Sequence, residues 1–243
     1  MYDYAGVFVS AADMSLLKTA MQNMNSGARL DAVVSPAPAS IDEAEQVVGQ
    51  IYGMALPRPS ELDLVVRLDA RESQWQHTFG ESAPASTPRD LQQFACVAVG
   101  GTWDHMHWGH RFMLTMAAFT AKTRVIVGVT GSELLVNKKY REALHPYDER
   151  AHTATSFVRL LRPDLEVEAV AMHDMYGPTA TEQDMQALVV SHESRKGGDL
   201  VNDKRQELGW NTLEIIDVSL VLDGKEKLSS TDLRREELEG SAP

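Results

Sequence analysis

Three histidines, His105, His107 and His110, directly follow two glycines and a threonine in the run V-A-V-G-G-T-W-D-H-M-H-W-G-H from Val97 to His110. Gly100 and Gly101 free the backbone for a tight turn, and Thr102 adds a hydroxyl. Apolar residues before and after predict a buried strand, a sharp loop and a helix opening near His107. The first-turn N–H groups and the dipole of such a helix favour an anion, and a spacing of three brings His107 and His110 toward one side of that turn. Amides, imidazoles and a hydroxyl at a strand-to-helix turn suit a phosphate, and the chemistry they suggest is nucleotidyl transfer.

The same residues form H-x-H-x-x-H, which is similar to the H-x-H-x-D-H zinc cluster of metallo-β-lactamase-like hydrolases. A zinc hydrolase built on His105, His107 and His110 is therefore a competing reading. Gly109 stands where that cluster has its aspartate, and no later cysteine or carboxylate–histidine group has ligand spacing. Glycine there lets the backbone approach a phosphate instead. A turn whose histidines merely cap a helix is the plainer alternative, and it accounts for a lone histidine better than for G-G-T followed by H-x-G-H.

The elements that must position these residues alternate along the second part of the chain. Strands are expected at Phe94 to Val99, Val125 to Thr130, Leu165 to Met172, Ala187 to Ser191 and Leu213 to Val221. Helices are expected from Gly109 to Ala121, from Tyr147 until Pro163 stops it, around Asp199 to Leu208, and from Ser230. Such alternation indicates an α/β fold with a doubly wound parallel sheet, whose ligands bind beyond the carboxyl ends of the strands. Glu81 to Asp90, E-S-A-P-A-S-T-P-R-D, has the composition of an exposed linker. It divides a small N-terminal α/β region, residues 1–91, from a catalytic domain, residues 92–243. The N-terminal region shows two strands, Leu30 to Val34 and Leu62 to Leu68, around a helix from Ile41 to Tyr52. Pro36, Pro38, Pro57 and Pro59 punctuate it, it holds no phosphate loop, and packing or regulation is its expected role.

G-G-T-W-D-H-M-H-W-G-H resembles the G-T-F-D-x-x-H-x-G-H signature of the H-x-G-H nucleotidyltransferase superfamily, whose fold is Rossmann-like. The later segments resemble the eukaryotic and archaeal type of phosphopantetheine adenylyltransferase: E-L-L-V-N-K (Glu133 to Lys138), P-Y-D-E-R (Pro146 to Arg150), D-M-Y-G-P (Asp174 to Pro178), V-V-S-H-E-S-R-K-G-G (Val189 to Gly198) and K-L-S-S-T-D-L-R (Lys227 to Arg234). The match runs from about Phe94 to Arg235, in the family's order.

The resemblance implies transfer of AMP from ATP, carried with Mg2+, to 4′-phosphopantetheine, giving dephospho-coenzyme A and pyrophosphate. It implies that Thr102 anchors the attacking phosphate or the α-phosphate, that His110 donates to the α-phosphate, that His107 holds the triphosphate, and that Lys138, rather than Lys139, bridges the substrates. Gly100, Gly101 and Gly109 shape the phosphate loop, and Arg150 lies at the nucleotide end, where the plainer alternative is a cation balanced by Glu149 or another local carboxylate. Ser191 and Glu193 belong to the nucleotide pocket, with Arg195 polarising phosphates. Ser229, Ser230 and Thr231 hold the β- and γ-phosphates beside Lys227; taken alone, these hydroxyls are a good N-cap. Tyr176, Gly177 and Pro178 mark the subfamily and have no assigned role. The chain departs from the pattern at Trp103, where phenylalanine is usual, and at His105, in a variable slot. Another H-x-G-H nucleotidyltransferase with a different acceptor remains an alternative.

Composition sets bounds on this reading. The 243 residues are 43% hydrophobic, enough for a sizeable core. A net charge of −12 argues against coating nucleic acid or an anionic membrane. The single cysteine, Cys96, allows no intrachain disulfide and suits a reducing compartment. No basic n-region with a long apolar core opens the chain, and no apolar stretch spans a bilayer, so a cytoplasmic protein is expected. Magnesium is expected to ride on the phosphates without a protein metal cage. No G-x-x-x-x-G-K-[ST] sequence occurs, so a separate dephospho-coenzyme A kinase is expected as the pathway neighbour.

Overall fold

The computed structural model describes residues 1–10, 13–54, 62–67, 75–80, 91, 93–219 and 229–240. The linker at Glu81 to Asp90, Pro57, Pro59, Leu68, Val221, Lys227 and Leu228 lie outside the described residues. Two compact units divide at Gln92 and Gln93.

The first unit contains β1 (Tyr2–Val9), α1 (Ser15–Gln22), β2 (Met24–Val34), α2 (Ile41–Met54), β3 (Leu62–Arg67) and β4 (His77–Phe79). Its strands are all parallel, in the order β3-β2-β1-β4. Val7, Ala32 and Val66 sit side by side on three strands and are fully or almost fully buried, as are Leu17 of α1 and Val47, Val48 and Ile51 of α2. The sequence reading found β2, α2 and β3 and missed β1, α1 and β4. β1 begins Y-D-Y and contains Gly6, which weakens its apolar pattern. Gly6 is required because the Trp75 indole lies across it: a Cβ there would come within 2.4 Å of the ring. Beside it Asp31 is wholly buried and accepts from Tyr4 Oη (2.8 Å), Arg67 Nε (3.0 Å), Trp75 Nε1 (3.1 Å) and Arg29 Nε (3.1 Å). Several charge-assisted bonds offset the desolvation of one carboxylate.

The second unit contains β5 (Phe94–Gly101), α3 (Trp108–Thr120), β6 (Ala121–Thr130), α4 (Tyr147–Leu161), β7 (Glu166–Met172), β8 (Ala187–Ser191), α5 (Arg195–Glu207), β9 (Glu214–Val218) and α6 (Ser230–Gly240). All five strands are parallel, in the order β7-β6-β5-β8-β9. This is the α/β, Rossmann-like arrangement expected from the alternation. The chain winds from β5 through β6 to β7 in one direction and through β8 to β9 in the other, so the topological switch lies between β5 and β8. Cys96, Val97, Ala98 and Val99 are buried on both faces of the central strand. Cys96, Ala98, Ile126, Leu188 and Val190 pack with Val201 of α5 in one core. Each of the Ile, Leu and Val side chains removed from water contributes about 1.5–3 kcal/mol.

Helix α5 starts four residues earlier than expected, because Gly197 and Gly198 read as a turn but lie in its first turns. Gly198 lets the helix settle on β9, where a Cβ would meet Ile215 at 3.3 Å. Among the described residues, no helix is long and apolar enough to cross a membrane.

Candidate active site

The segment Thr102 to His107 joins the end of β5 to the start of α3. Trp103 (φ 57°) and His105 (φ 46°) adopt the left-handed conformation, which costs an L-residue roughly 1–2 kcal/mol each. Packing offsets that strain at Trp103. Its indole is buried, donates from Nε1 to Gly128 O at 2.8 Å, and lies against Gly101, where a Cβ would meet the ring at 3.0 Å. Trp103 in the phenylalanine slot is thus a structural wedge. Gly100 and Gly128 face each other on β5 and β6 and leave room for Met172, whose Sδ would be 2.7 Å from a Cβ at Gly128.

Helix α3 opens at His107 without a side-chain cap, and Gly109 falls in its first turn. The rings of His107 and His110 stack at 3.9 Å between centroids, 20° apart. Burial, then the proximity of His107 and Lys138, holds the His110 imidazole well below its ordinary pKa. It is neutral at pH 7, and its Nδ1 is buried without a hydrogen-bond partner among the described residues. Lys138 follows the 3-10 turn Ser132–Leu135, is exposed, and its charge reaches His110. The backbone carbonyl of Lys139 instead accepts from Arg234 Nε at 3.1 Å. His107, His110 and Lys138 therefore gather where β5 hands over to α3, next to Gly100, Gly101 and Thr102.

Arg150 is buried, and its guanidinium donates to three carbonyls: Thr102 O (2.7 Å), Thr130 O (3.0 Å) and His145 O (3.0 Å). Those acceptors are backbone oxygens rather than the carboxylate considered from sequence. The residue clamps the ends of β5 and β6 to the start of α4. Burial lowers its pKa, opposed by the nearby Asp104 charge.

Asp104 and Arg234 both stand in the quoted motifs. Asp104 is wholly buried. Its carboxylate accepts from the His145 amide (3.0 Å) and from Arg234 Nη1 (2.5 Å), and Arg234 Nη2 donates to Thr231 Oγ1 at 3.2 Å. Burial pushes the Asp104 pKa up, and the His145 amide, Arg234 and His105 together outweigh it, leaving the pKa lowered. Of the three hydroxyls, Ser229 Oγ bonds Asp232 Oδ2 at 2.6 Å and accepts from its amide at 3.3 Å, a capping arrangement. Thr231 accepts from Arg234, and Ser230 is half-buried at the first position of α6.

At the end of β8, Ser191 Oγ donates to Ser194 Oγ at 3.1 Å, and Glu193 is exposed. Arg195 Nη1 pairs with Asp199 Oδ1 at 2.5 Å on α5, so a phosphate would compete with that carboxylate for its guanidinium. Between the β5 and β8 ends lies a cavity of about 180 Å³, walled by Gly100, Gly101, Met172, Tyr176, Pro178 and Ser194 among others. Tyr176 and Pro178, which had no role in the sequence, are its apolar wall. The Asp174 carboxylate accepts from the Tyr176 and Gly177 amides at 2.8 Å each and shapes that turn.

A zinc site on His105, His107 and His110 would need those three rings to converge. His105 instead stacks on His145 at 4.2 Å, lies 3.0 Å from Asp104 Oδ2 without alignment for a hydrogen bond, and reaches Glu237 Oε2 at 2.6 Å. Among the described residues, Asp104, His105 and His145 are a set whose donor atoms lie within 4.8 Å of one another. Near-parallel rings aim their in-plane lone pairs past a common centre, and Arg234 already sits on the carboxylate, so the set does not fit a metal.

Residues 98–236 match the cytidylyltransferase-like family. The chain is 44% identical over 154 residues to the phosphopantetheine adenylyltransferase of Saccharomyces cerevisiae, a match covering 61% of this chain and 50% of that protein. It is 36% identical over 151 residues to the phosphopantetheine adenylyltransferase of Methanopyrus kandleri, covering 62% of this chain and 95% of that protein. The corresponding protein of Pyrococcus abyssi is 32% identical over 145 residues, covering 59% and 91%. The chain thus spans about half the length of the yeast relative and nearly all of the archaeal ones. The matched residues run from the middle of β5 through the glycine–histidine loop to Arg234 and α6. On that match and the doubly wound sheet that carries it, the chain belongs to the cytidylyltransferase-like family.

Proposed function

We propose that this chain transfers AMP from ATP to the terminal phosphate of 4′-phosphopantetheine, forming dephospho-coenzyme A and pyrophosphate. The observation that carries the reading is the gathering of His107, His110 and Lys138 at the uncapped start of α3, beside Gly100, Gly101 and Thr102. The resemblance to phosphopantetheine adenylyltransferases supports the choice of acceptor.

An oxygen of the acceptor phosphate attacks the α-phosphorus of ATP, the bond to the bridging oxygen breaks, and pyrophosphate leaves. A phosphate oxygen is already a nucleophile, so the site needs donors and positive charge rather than a general base. Neutral His110 supplies an N–H to the α-phosphate, His107 braces the triphosphate through the stacked pair, Thr102 anchors a phosphate, and Lys138 spans the substrates. The donors around the loop are neutral or cationic and Asp104 is held by Arg234, which suits a Mg2+ brought in on the triphosphate. Bound there, that ion would neutralise charge on the leaving pyrophosphate. The apolar cavity between β5 and β8 offers space for a part of either substrate that carries no charge.

We place the chain in the cytoplasm on the absence of any cysteine pair; Cys96 itself is inert, because burial pushes its thiol up to about 11. We assign phosphorylation of the product to a separate kinase.

Pyrophosphate release from ATP, measured with 4′-phosphopantetheine, nicotinamide mononucleotide and glycerol phosphate as acceptors, tests the reading. Release stimulated selectively by 4′-phosphopantetheine is expected. Equal or greater stimulation by another acceptor would replace the substrate assignment.

A further inference from the structure

Helix α6 buries no apolar side chain fully: Leu233 and Leu238 are only half-buried. In S-T-D-L-R-R-E-E-L-E-G its one buried residue is Arg234. Two polar side chains three residues apart, and therefore on one face, carry its docking. Arg234 ends on Asp104, and Glu237 ends on His105, the next residue of the same loop. The His105 ring is 11% exposed and held between elements. Nδ1 lies 3.0 Å from Asp104 Oδ2, Nε2 lies 2.6 Å from Glu237 Oε2, and one face stacks on His145. Its left-handed backbone persists only because surrounding contacts over-determine it. An element that docks mainly through polar ties and buries no apolar side chain fully belongs to the low-stability end of a fold and can open alone.

We propose that His105 and Glu237 form a latch that holds α6, and with it Ser229, Ser230 and Thr231, against the glycine–histidine loop, making both of them positioning residues for the nucleotide. The inference rests on the reading above that this hydroxyl segment receives ATP phosphates. Neither side chain needs to touch substrate: Glu237 acts on His105, and the pair sets where the first turn of α6 sits.

The test compares Glu237→Ala, Glu237→Gln and His105→Asn, asparagine being a residue that tolerates the left-handed turn. In the full chain without substrate, hydrogen exchange at the α6 amides should speed up about two- to five-fold in Glu237→Ala, the scale of one partly exposed charge-assisted contact. KM for ATP should rise by a similar factor, the effect falling on KM more than on kcat. Glu237→Gln, whose amide oxygen still accepts from the imidazole, should recover most of both. The double variant Glu237→Ala with His105→Asn should be no worse than the more severe of the two single ones, since His105→Asn also removes the stacking on His145. Unchanged α6 exchange in Glu237→Ala, or additive losses in the double variant, would overturn the latch. Should the wild-type chain release no pyrophosphate with 4′-phosphopantetheine, the reaction assignment fails while α6 exchange still decides the latch.

Discussion

At the scale of single residues, the site depends on one imidazole, that of His110, being kept neutral. Burial first, and then the His107 ring stacked at 3.9 Å and the Lys138 charge, disfavour a positive charge on His110, so it serves as a hydrogen-bond donor rather than a cation. On the proposed reaction, His110→Ala should lower the rate of dephospho-coenzyme A formation by about two to three orders of magnitude, the scale of one lost electrostatic donor. Steady-state kinetics with ATP and 4′-phosphopantetheine would show it, and near-normal turnover would remove His110 from the mechanism. Gly109 was legible as a departure from the zinc-cluster pattern, and it lies in the first turn of α3. His105 was legible only as one of three histidines, because its partners Glu237 and His145 lie far along the chain.

At the scale of elements, the ends of β5, β6 and α4 must hold a common geometry, and Arg150 connects all three. A lysine carries its three donors on one nitrogen and cannot match carbonyls spread over Nε, Nη1 and Nη2 of a planar fork. Hydrogen bonds to a charged group contribute about 1.5–3 kcal/mol each, so Arg150→Lys should destabilise the second unit by roughly that amount or more. Urea denaturation would register it as a lower midpoint. If Arg150 served ATP alone, stability would be unchanged and only KM would rise. The motif P-Y-D-E-R predicted where this arginine lies along α4. It could not say that its partners are carbonyls, since backbone oxygens leave no mark in the sequence.

At the scale of the whole molecule, Asp104 and Arg234 join segments 130 residues apart. Burial raises the Asp104 pKa, but the His145 amide and Arg234 bring it below the ordinary carboxylate value. A carboxylate whose folded pKa is depressed contributes stability that is fully present above its unfolded pKa, about 3.9, and is lost as pH falls through the folded value. Asp104→Asn should therefore be less stable than wild type at neutral pH and should show a shallower loss of stability on acidification. Circular dichroism across acid titrations of both proteins would reveal the difference. Superimposable acid limbs would place the charge linkage elsewhere.

Hydrophobic runs of five to nine residues were sufficient to locate the strands of the second sheet, and the order of strand, glycine turn and H-x-G-H was sufficient to place the glycine–histidine loop at a strand end. Local pattern carried that much because burial on both faces of a parallel strand, and freedom at glycine, are written within a few residues. Three features needed the tertiary structure: the entire β1 strand with its Gly6–Trp75 contact, the early start of α5 at two glycines, and the joining of Asp104, His105, Arg234 and Glu237. Each depends on what a side chain meets across the fold. Strand order brings those partners together, and periodicity along one segment holds no record of it.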